Sequence, residues 1–120
     1  MKIAVTASGE ALGSPVDPRF GRAAKFILVD LDSGELQCHD NAGCQDAAQG
    51  AGIQAAKTVS RFGVGAVITG HCGPNAFRAL RAAGIQVVVG ASGTVADAVE
   101  SFKSGRLKPA ESPDVEGHWA

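Results

Sequence analysis

Residues 67–80, Val-Ile-Thr-Gly-His-Cys-Gly-Pro-Asn-Ala-Phe-Arg-Ala-Leu, decide how the chain folds. An apolar run ends at Gly70, a short loop carries His71 and Cys72, and a helical pattern begins at Pro74. This order is typical of a strand–loop–helix junction, in which the backbone amides of the first helical turn point outward. The sequence therefore predicts a strand and a helix joined by a loop that carries chemically active side chains.

Apolar runs and turn residues on both sides of this junction predict five strands and three helices in all. The predicted strands cover residues 2–7, 24–30, 35–39, 64–69 and 85–89, and the first two helices cover residues 47–62 and 75–83. Asp46 is expected to cap the first helix, whose inner face should carry Ile53, Ala56, Val59 and Phe62. Thr94 is expected to cap the third helix, and Gly105 to end it.

The lengths of the connections predict the order of the strands in the sheet. A long loop (residues 8–23) and a hairpin turn (residues 32–34) join the first three strands, so these strands should form an antiparallel meander. A helix joins the last two strands, which should therefore be parallel, with a right-handed crossover. The prediction is a three-layer α/β/α fold of ribonuclease H-like type. Its mixed five-stranded sheet has the order 3-2-1-4-5, and strand 2 is antiparallel.

This topology brings four loops to one end of the sheet. The loops at residues 8–23, 40–46, 70–74 and 90–94 should meet there, and open α/β sheets bind ligands at that end. The side chains expected in or beside these loops are Arg19, Arg22, His39, Cys44, His71 and Cys72.

The three cysteines are expected to differ in exposure. Cys72, at a helix start, is expected to be exposed and to have a lowered pKa. Cys38 lies within a strand and is expected to be a small buried hydrophobic residue. Cys44 lies in a glycine-containing loop. The spacing lacks the paired C-x-x-C of zinc and ferredoxin sites. Because the sequence shows no signal peptide and no apolar run that could span a bilayer, it predicts reduced thiols and a cytoplasmic location.

Length and charge restrict the class of protein further. The 120 residues predict a single domain over residues 1–108 and a flexible C-terminal tail over residues 109–120. A net charge of −1 gives no global attraction to nucleic acids or acidic membranes. The chain starts directly on a strand-like segment, and no apolar run is long enough to span a bilayer.

One reading of residues 71–78 is catalytic. His71-Cys72-x5-Arg78 matches the motif of cysteine phosphatases, in which a thiolate attacks phosphorus while loop amides and the arginine hold the phosphate oxygens. However, Pro74 removes one amide from such a loop, and Asn75 stands where that family has a glycine. A solvated helix face explains Arg78 equally well.

A second group of candidate residues precedes the second strand. Arg19 and Arg22 flank Phe20 and Gly21, and guanidinium donors match the geometry of oxo- and sulfido-anions. This pattern favours an anion clamp. The alternative is a solvated loop with Phe20 packed into the core.

Four segments together resemble one protein family. They are residues 2–5 (Lys-Ile-Ala-Val), 17–23 (Asp-Pro-Arg-Phe-Gly-Arg-Ala), 50–53 (Gly-Ala-Gly-Ile) and 73–85, which begins Gly-Pro-Asn-Ala-Phe. They are similar to the dinitrogenase iron–molybdenum cofactor biosynthesis family, which includes NifX-like proteins and the C-terminal region of NifB. The resemblance covers residues 1–108 and implies a ribonuclease H-like fold.

The resemblance also implies a function without catalysis, the binding or carriage of an anionic metal–sulfide cluster. The size and single-domain form resemble members that hold a molybdenum–copper sulfide cluster non-covalently. In such members the copper is ligated by thiomolybdate sulfur, so the protein need supply no metal ligand. An iron–sulfur or iron–molybdenum cofactor precursor is the alternative cargo.

The predicted binding site combines two loops, called below the arginine loop (residues 8–23, with Arg19 and Arg22) and the junction loop (residues 70–74). Its members are Arg19, Phe20, Arg22, Gly70, His71, Cys72, Gly73, Pro74 and Asn75. If the protein ligates a metal directly, Cys72 and His71 are the expected ligands.

Overall fold

The computed structural model describes residues 1–41 and 51–110 and shows a mixed sheet with helices on both sides. The strands are β1 (Lys2–Ala7), β2 (Lys25–Asp30), β3 (Leu36–Asp40), β4 (Ala66–Ile68) and β5 (Gln86–Val88). The helices are α1 (Ala51–Ser60), α2 (Pro74–Ala82) and α3 (Val95–Lys103), with a short 3-10 helix at Phe20–Arg22.

The predicted order of the strands is confirmed. The sheet runs β3-β2-β1-β4-β5. β2 is antiparallel to both of its neighbours, and the pairs β1–β4 and β4–β5 are parallel. Polar connections and short apolar runs were sufficient to predict this order because hairpins join antiparallel strands and helical crossovers join parallel ones.

The sheet separates two apolar cores. Side chains of α1 and α2, among them Val59 and Leu80, pack on one face. Side chains of α3, among them Val95 and Ala98, pack on the other face. The central strands are therefore apolar almost throughout, as expected for strands covered on both faces.

Two turn signals in the sequence are confirmed. Thr94 caps α3 through a capping box, because its hydroxyl accepts from the amide of Asp97 while the Asp97 carboxylate accepts from the amide of Thr94. The Thr94 bonds hold the pKa of Asp97 below its ordinary value. Gly105, with φ of +82°, ends the same helix.

Two predictions about burial are wrong. Ile53, expected on the inner face of α1, is 36% exposed, while Ala55 and Val59 are fully buried. Cys38, expected to be buried, is exposed. Cys38 lies on the edge strand β3, where burial depends on which neighbouring element covers the strand and not on the strand's own pattern.

Some predictions fall on residues that are not described. The start of the first helix at 47, its cap Asp46 and the loop residue Cys44 lie in residues 42–50, and most of the predicted tail lies in residues 111–120. The described start of that tail runs beside β5. Pro109 forms a β-bridge with Val88, and the amide of Ala110 donates to the carbonyl of Val87 at 2.7 Å.

Across the described ranges, the helices are all too short or too polar to cross a bilayer.

Candidate functional site

A short β-bridge joins the arginine loop to the junction loop. Arg19 pairs with His71 in parallel orientation. The amide of His71 donates to the carbonyl of Pro18 at 2.7 Å, and the amide of Phe20 donates to the carbonyl of His71 at 3.2 Å. Backbone hydrogen bonds thus join two segments that lie about fifty residues apart in sequence.

Gly70 allows this close approach. A Cβ atom at residue 70 would lie 2.8 Å from both the Cα and the carbonyl oxygen of Pro18. Because the atoms in the way belong to the backbone, a side chain here would force the two loops apart. Gly70, two residues after β4, is therefore required for the bridge between Arg19 and His71.

Two buried hydroxyl groups hold the arginine loop in place through hydrogen bonds. Thr6 Oγ1 lies 2.8 Å from the carbonyl oxygen of Asp17 and 2.9 Å from Thr69 Oγ1. Both threonines are fully buried, at the ends of the central strands β1 and β4. The amide of Asp17 also donates to the carbonyl of Thr6 at 2.9 Å. These contacts position the start of the loop at the centre of the sheet.

The loop between β5 and α3 joins the same end of the sheet. The amide of Val16 donates to the carbonyl of Gly93 at 2.9 Å, and the amide of Gly90 donates to the carbonyl of Gly70 at 2.9 Å. The predicted convergence of loops 8–23, 70–74 and 90–94 is thereby confirmed. The name "rim" is used below for residues 15–23, 69–75 and 90–94 at this end of the sheet.

Asn41 connects the end of β3 to the rim. Its side chain is buried, and Nδ2 donates to the carbonyl of Ala23 at 2.9 Å and to the carbonyl of Gly21 at 3.4 Å. The sequence analysis did not select Asn41, although an asparagine directly after a strand is a known signal for loop hydrogen bonding. The remainder of loop 40–46, with Cys44, lies outside the described residues.

The arginine and histidine side chains of the rim are at its surface. Arg19 is exposed, and Arg22 and His71 are half-buried. Residues paired across a β-bridge project to the same side, so Arg19 and His71 share one face of the rim. Arg22 follows within the 3-10 helix, where its amide donates to the carbonyl of Arg19 at 3.3 Å.

The first turn of α2 adds backbone donors to this surface. Gly73 is the N-cap residue and makes no side-chain cap, and Pro74 follows as the first helical residue. The first amides of a helix have no partner within the helix, and the helix dipole makes this end positive. The first turn of α2, with the exposed Asn75, thus brings the positive end of the helix close in sequence to the Arg19–His71 bridge.

Two residues of the predicted site belong to the rim segments, but their side chains are buried in the core. Phe20 and Cys72 are both fully buried in the core on the α1/α2 side, and the Phe20 ring centroid is 5.8 Å from that of Phe26. The prediction of an exposed Cys72 is therefore wrong, as is the prediction that Phe20 lines the binding surface. The reason is alternation along an extended segment, because His71 and Arg19 face the surface and the residues after them face inward.

The geometry of a cysteine phosphatase is not assembled. The Cys72 thiol is buried, with Sγ 3.7 Å from the carbonyl oxygen of Gly73. The exposed Arg78 donates from Nη2 to Oδ1 of Asn75 at 2.8 Å, so it belongs to the surface of α2, as the alternative reading expected. A phosphate oxygen at the loop would meet neither a surface thiol nor a guanidinium directed at it.

Cys38 and His39 have other surroundings. Partial desolvation raises the pKa of the Cys38 thiol above its ordinary value. The His39 ring stacks on Phe62, just beyond α1, with 4.4 Å between ring centroids. Throughout residues 1–41 and 51–110, no group of three or more His, Cys, Asp and Glu side chains is arranged to hold a metal ion.

Comparison with known proteins assigns the chain to a family. The profile of the family described as dinitrogenase iron-molybdenum cofactor matches residues 1–105. The chain belongs to this family. The family resemblance predicted from the sequence segments is confirmed.

Solved structures of similar proteins share the fold. The orange protein from Desulfovibrio gigas, solved in its apo form, is 44% identical, with a TM-score of 0.93 over 95% of this chain and 96% of that one. A NifB-like protein from Thermotoga is 33% identical, with a TM-score of 0.80 over 95% of this chain and 98% of that one. An uncharacterised protein of Methanocaldococcus jannaschii is 27% identical over 92% of each chain.

Proposed function

We propose that this protein binds and carries an anionic metal–sulfide cluster non-covalently and catalyses no reaction itself. The cargo we propose is a molybdenum–copper sulfide cluster. Family membership over residues 1–105 and the 44% identity to the orange protein support a role with a metal cluster. The observation that carries the proposal is the Arg19–His71 bridge beside the uncapped start of α2.

The rim is complementary to an anion with soft, weakly basic atoms. Two guanidinium groups and the positive end of α2 supply charge and directional donors. Loops joined by backbone hydrogen bonds keep these donors in place before the ligand arrives, so less conformational entropy is lost on binding. A polyanionic sulfide cluster needs a surface with positive charge and with hydrogen-bond donors in fixed positions.

The donor set favours a preassembled cluster over direct metal ligation. Cys72 is buried in the core, and Cys38 lies on the edge strand β3, outside the rim. A cluster whose metals keep their sulfide ligands requires only charge and hydrogen bonds from the protein, which is what Arg19, Arg22 and the α2 amides provide.

An iron–sulfur or iron–molybdenum cofactor precursor is the second candidate cargo. The name of the family that matches residues 1–105 favours it. Such a precursor is also anionic and would use the same donors. Metal and sulfide analysis of protein purified without oxygen separates the two, since only the first contains copper.

The ends of the central strands offer no catalytic carboxylate. A ribonuclease H-like label, which the order of the strands favours, describes architecture and carries no function by itself. Nucleases of that fold bind divalent metals through carboxylates on the central strands. Here the corresponding strand ends carry Thr6 and Thr69, which hydrogen-bond each other and the arginine loop.

The direct test is reconstitution with tetrathiomolybdate and copper(I) without oxygen. We expect a charge-transfer chromophore that stays with the protein on gel filtration at a fixed stoichiometry. A Cys72→Ser variant that folds should assemble the same chromophore. No retained chromophore in the wild-type protein would overturn the proposal. Hydrolysis of an aryl phosphate that is lost in Cys72→Ser would instead support the phosphatase.

The two arginines should set the affinity for the cluster. In the Arg19→Gln/Arg22→Gln variant we expect at least about tenfold weaker retention, because charge-assisted hydrogen bonds are the strong ones in such a site. The matched control is Lys103→Gln/Arg106→Gln, which removes two exposed charges at the end of α3. Equal retention by the two variants, measured by dilution of the chromophore, would contradict a role for the arginines.

A further inference from the structure

The layer formed by α1 and α2 is basic and contains no acidic residue. The chain has 12 Asp and Glu residues and a net charge of −1, yet none of the acids falls between Asp46 and Asp97. The same interval contains the cations Lys57, Arg61, Arg78 and Arg81. A strongly one-signed surface on a nearly neutral protein is a local feature that steers association.

The four cations are exposed, and no described carboxylate neutralises them. Arg78 donates to the Asn75 side chain, and Arg81 Nη1 donates to the carbonyl of Ala110 at 3.3 Å. The Arg81 guanidinium carbon also lies 5.6 Å from the centroid of the Phe77 ring. The three ion pairs found within residues 1–41 and 51–110 involve only the N-terminus and Lys25 as cations.

These cations form one outer surface. Both helices pack on the same side of the sheet and share one core. Arg78 and Arg81 are three residues apart on α2, so they project to one side of that helix, while Lys57 lies on α1 and Arg61 directly follows its end. Ile53, 36% exposed, lies one turn before Lys57 and adds an apolar contact. The name "basic face" is used below for Lys57, Arg61, Arg78 and Arg81.

The basic face is continuous with the rim. α2 begins at Pro74, in the rim, and reaches Arg78 about one turn later. A protein docked on the basic face would therefore cover or adjoin the proposed cluster site. The acidic residues of the described chain lie outside α1 and α2, and three of them, Asp30, Asp32 and Glu35, are at the β2–β3 turn.

We propose that the basic face docks an acidic surface of a partner protein that delivers or receives the cluster, an inference that rests on the proposed function. The partner is a protein, because four clustered cations on a chain of net charge −1 match a local acidic patch better than the extended charge of a nucleic acid or a membrane. In addition, the aromatic ring on α2, that of Phe77, is buried and offers no platform for stacking bases. An acidic patch on a partner protein, similar in size to the basic face, would contact only these four cations.

Binding of a labelled acidic peptide tests this inference on the full chain without cluster. The probe is a fluorescent twelve-residue polyglutamate, and its anisotropy is followed at increasing salt. We expect salt-sensitive binding that weakens at least about tenfold in Arg78→Glu/Arg81→Glu. The matched control, Lys103→Glu/Arg106→Glu at the end of α3, should bind within about twofold of wild type.

A second variant guards against a folding defect, because Arg81 contacts Phe77 and Ala110. Lys57→Glu/Arg61→Glu reverses two charges of the same face, one on α1 and one directly after it, and leaves α2 unchanged. It should weaken peptide binding by a similar factor. Circular dichroism should be unchanged for this variant. It should also retain the molybdenum–copper chromophore within about twofold, since neither residue belongs to the rim.

Four outcomes would overturn the inference. The first is no salt-sensitive binding of the peptide, and the second is an equal loss in the α3 control. The third is tighter binding to phosphatidylserine vesicles or duplex DNA than to the peptide. The fourth is binding that appears only in Glu111→Gln/Asp114→Asn/Glu116→Gln, which would make the protein's own C-terminal segment the occupant. The peptide assay uses protein without cluster. A failed reconstitution would therefore refute the proposed cluster binding but would leave the result for the basic face unaffected.

Discussion

The rim and the β2–β3 turn, at opposite ends of the same strands, are held together in different ways. At the turn, Asp30 Oδ1 accepts from the amides of Asp32 and Ser33, two and three positions along the chain, and Met1 adds an ion pair with Asp32 and a backbone hydrogen bond from Leu31. At the rim, backbone groups join segments far apart in sequence, as in the His71–Pro18 and Val16–Gly93 hydrogen bonds.

The difference bears directly on function. A turn held by carboxylates is anionic and local, and any chain with the right turn residues forms it. A rim held by backbone groups leaves its arginines and helix amides at the surface to meet a ligand. It also makes the site depend on small residues such as Gly70, which permit backbones to approach.

The largest effect should come from a side chain at the rim glycine. Gly70→Ala places a Cβ 2.8 Å from the Pro18 backbone, and we expect the free energy of unfolding to fall by about 2–3 kcal/mol, with loss of the chromophore. The control is Gly34→Ala in the β2–β3 turn, where φ is +79° and a Cβ meets nothing within 4 Å. There we expect a cost of about 1 kcal/mol and normal cluster binding.

Urea denaturation and reconstitution measure both quantities. An equal loss of stability and of chromophore in the two variants would contradict the view that close backbone approach builds the rim and not the turn.

A smaller effect should follow from removing a buried hydroxyl. Thr6→Val leaves the Asp17 carbonyl and the Thr69 hydroxyl without Thr6 Oγ1, and we expect a loss of about 2 kcal/mol in the free energy of unfolding. Ser8→Ala is the matched control, because the exposed Ser8 hydroxyl donates to the Pro15 carbonyl at 3.4 Å. Its expected cost is below about 0.5 kcal/mol. Similar losses by thermal or urea unfolding would show that burial does not distinguish the two hydroxyls.

The smallest effect should be the response of the turn to acid. Hydrogen bonds from the amides of Asp32 and Ser33 lower the pKa of Asp30. A lowered folded-state pKa contributes stability that is present above the unfolded pKa of about 4 and is lost as the pH falls through the folded value. Between pH 6 and pH 3, the amide of Ser33 should lose protection from hydrogen exchange, and Asp30→Asn should reduce this pH dependence. A wild-type pH response that persists fully in Asp30→Asn would contradict the assignment.

The order of the strands and the meeting of the loops were predictable from the sequence. Hairpin and crossover lengths fix strand direction, and the direction fixes which loops share an end of the sheet. The cap at Thr94 and the glycine that ends α3, Gly105, were predictable from the sequence because caps depend on a few adjacent residues. Cap residues and the lengths of the connections were therefore sufficient to predict this part of the fold.

The orientation of individual side chains was not predictable in the same way. Whether His71 or Cys72 faces outward is decided by the bridge to Arg19, which involves a segment about fifty residues away. The exposure of Cys38 depends on what covers the edge of the sheet. The meeting of Thr6 and Thr69 had one signal, a polar residue late in each of two adjacent apolar strands, but only the register of β1 and β4 makes them neighbours.

Mapping the cluster by NMR tests the central claim most directly. Amide shifts of the full-length protein are compared before and after loading with tetrathiomolybdate and copper(I). We predict large changes at Arg19, His71, Gly73 and Asn75, and unchanged signals at the β2–β3 turn, including Gly34. Changes centred on the turn or on Cys38, with the amides of the rim unaffected, would contradict a cluster held at the Arg19–His71 bridge.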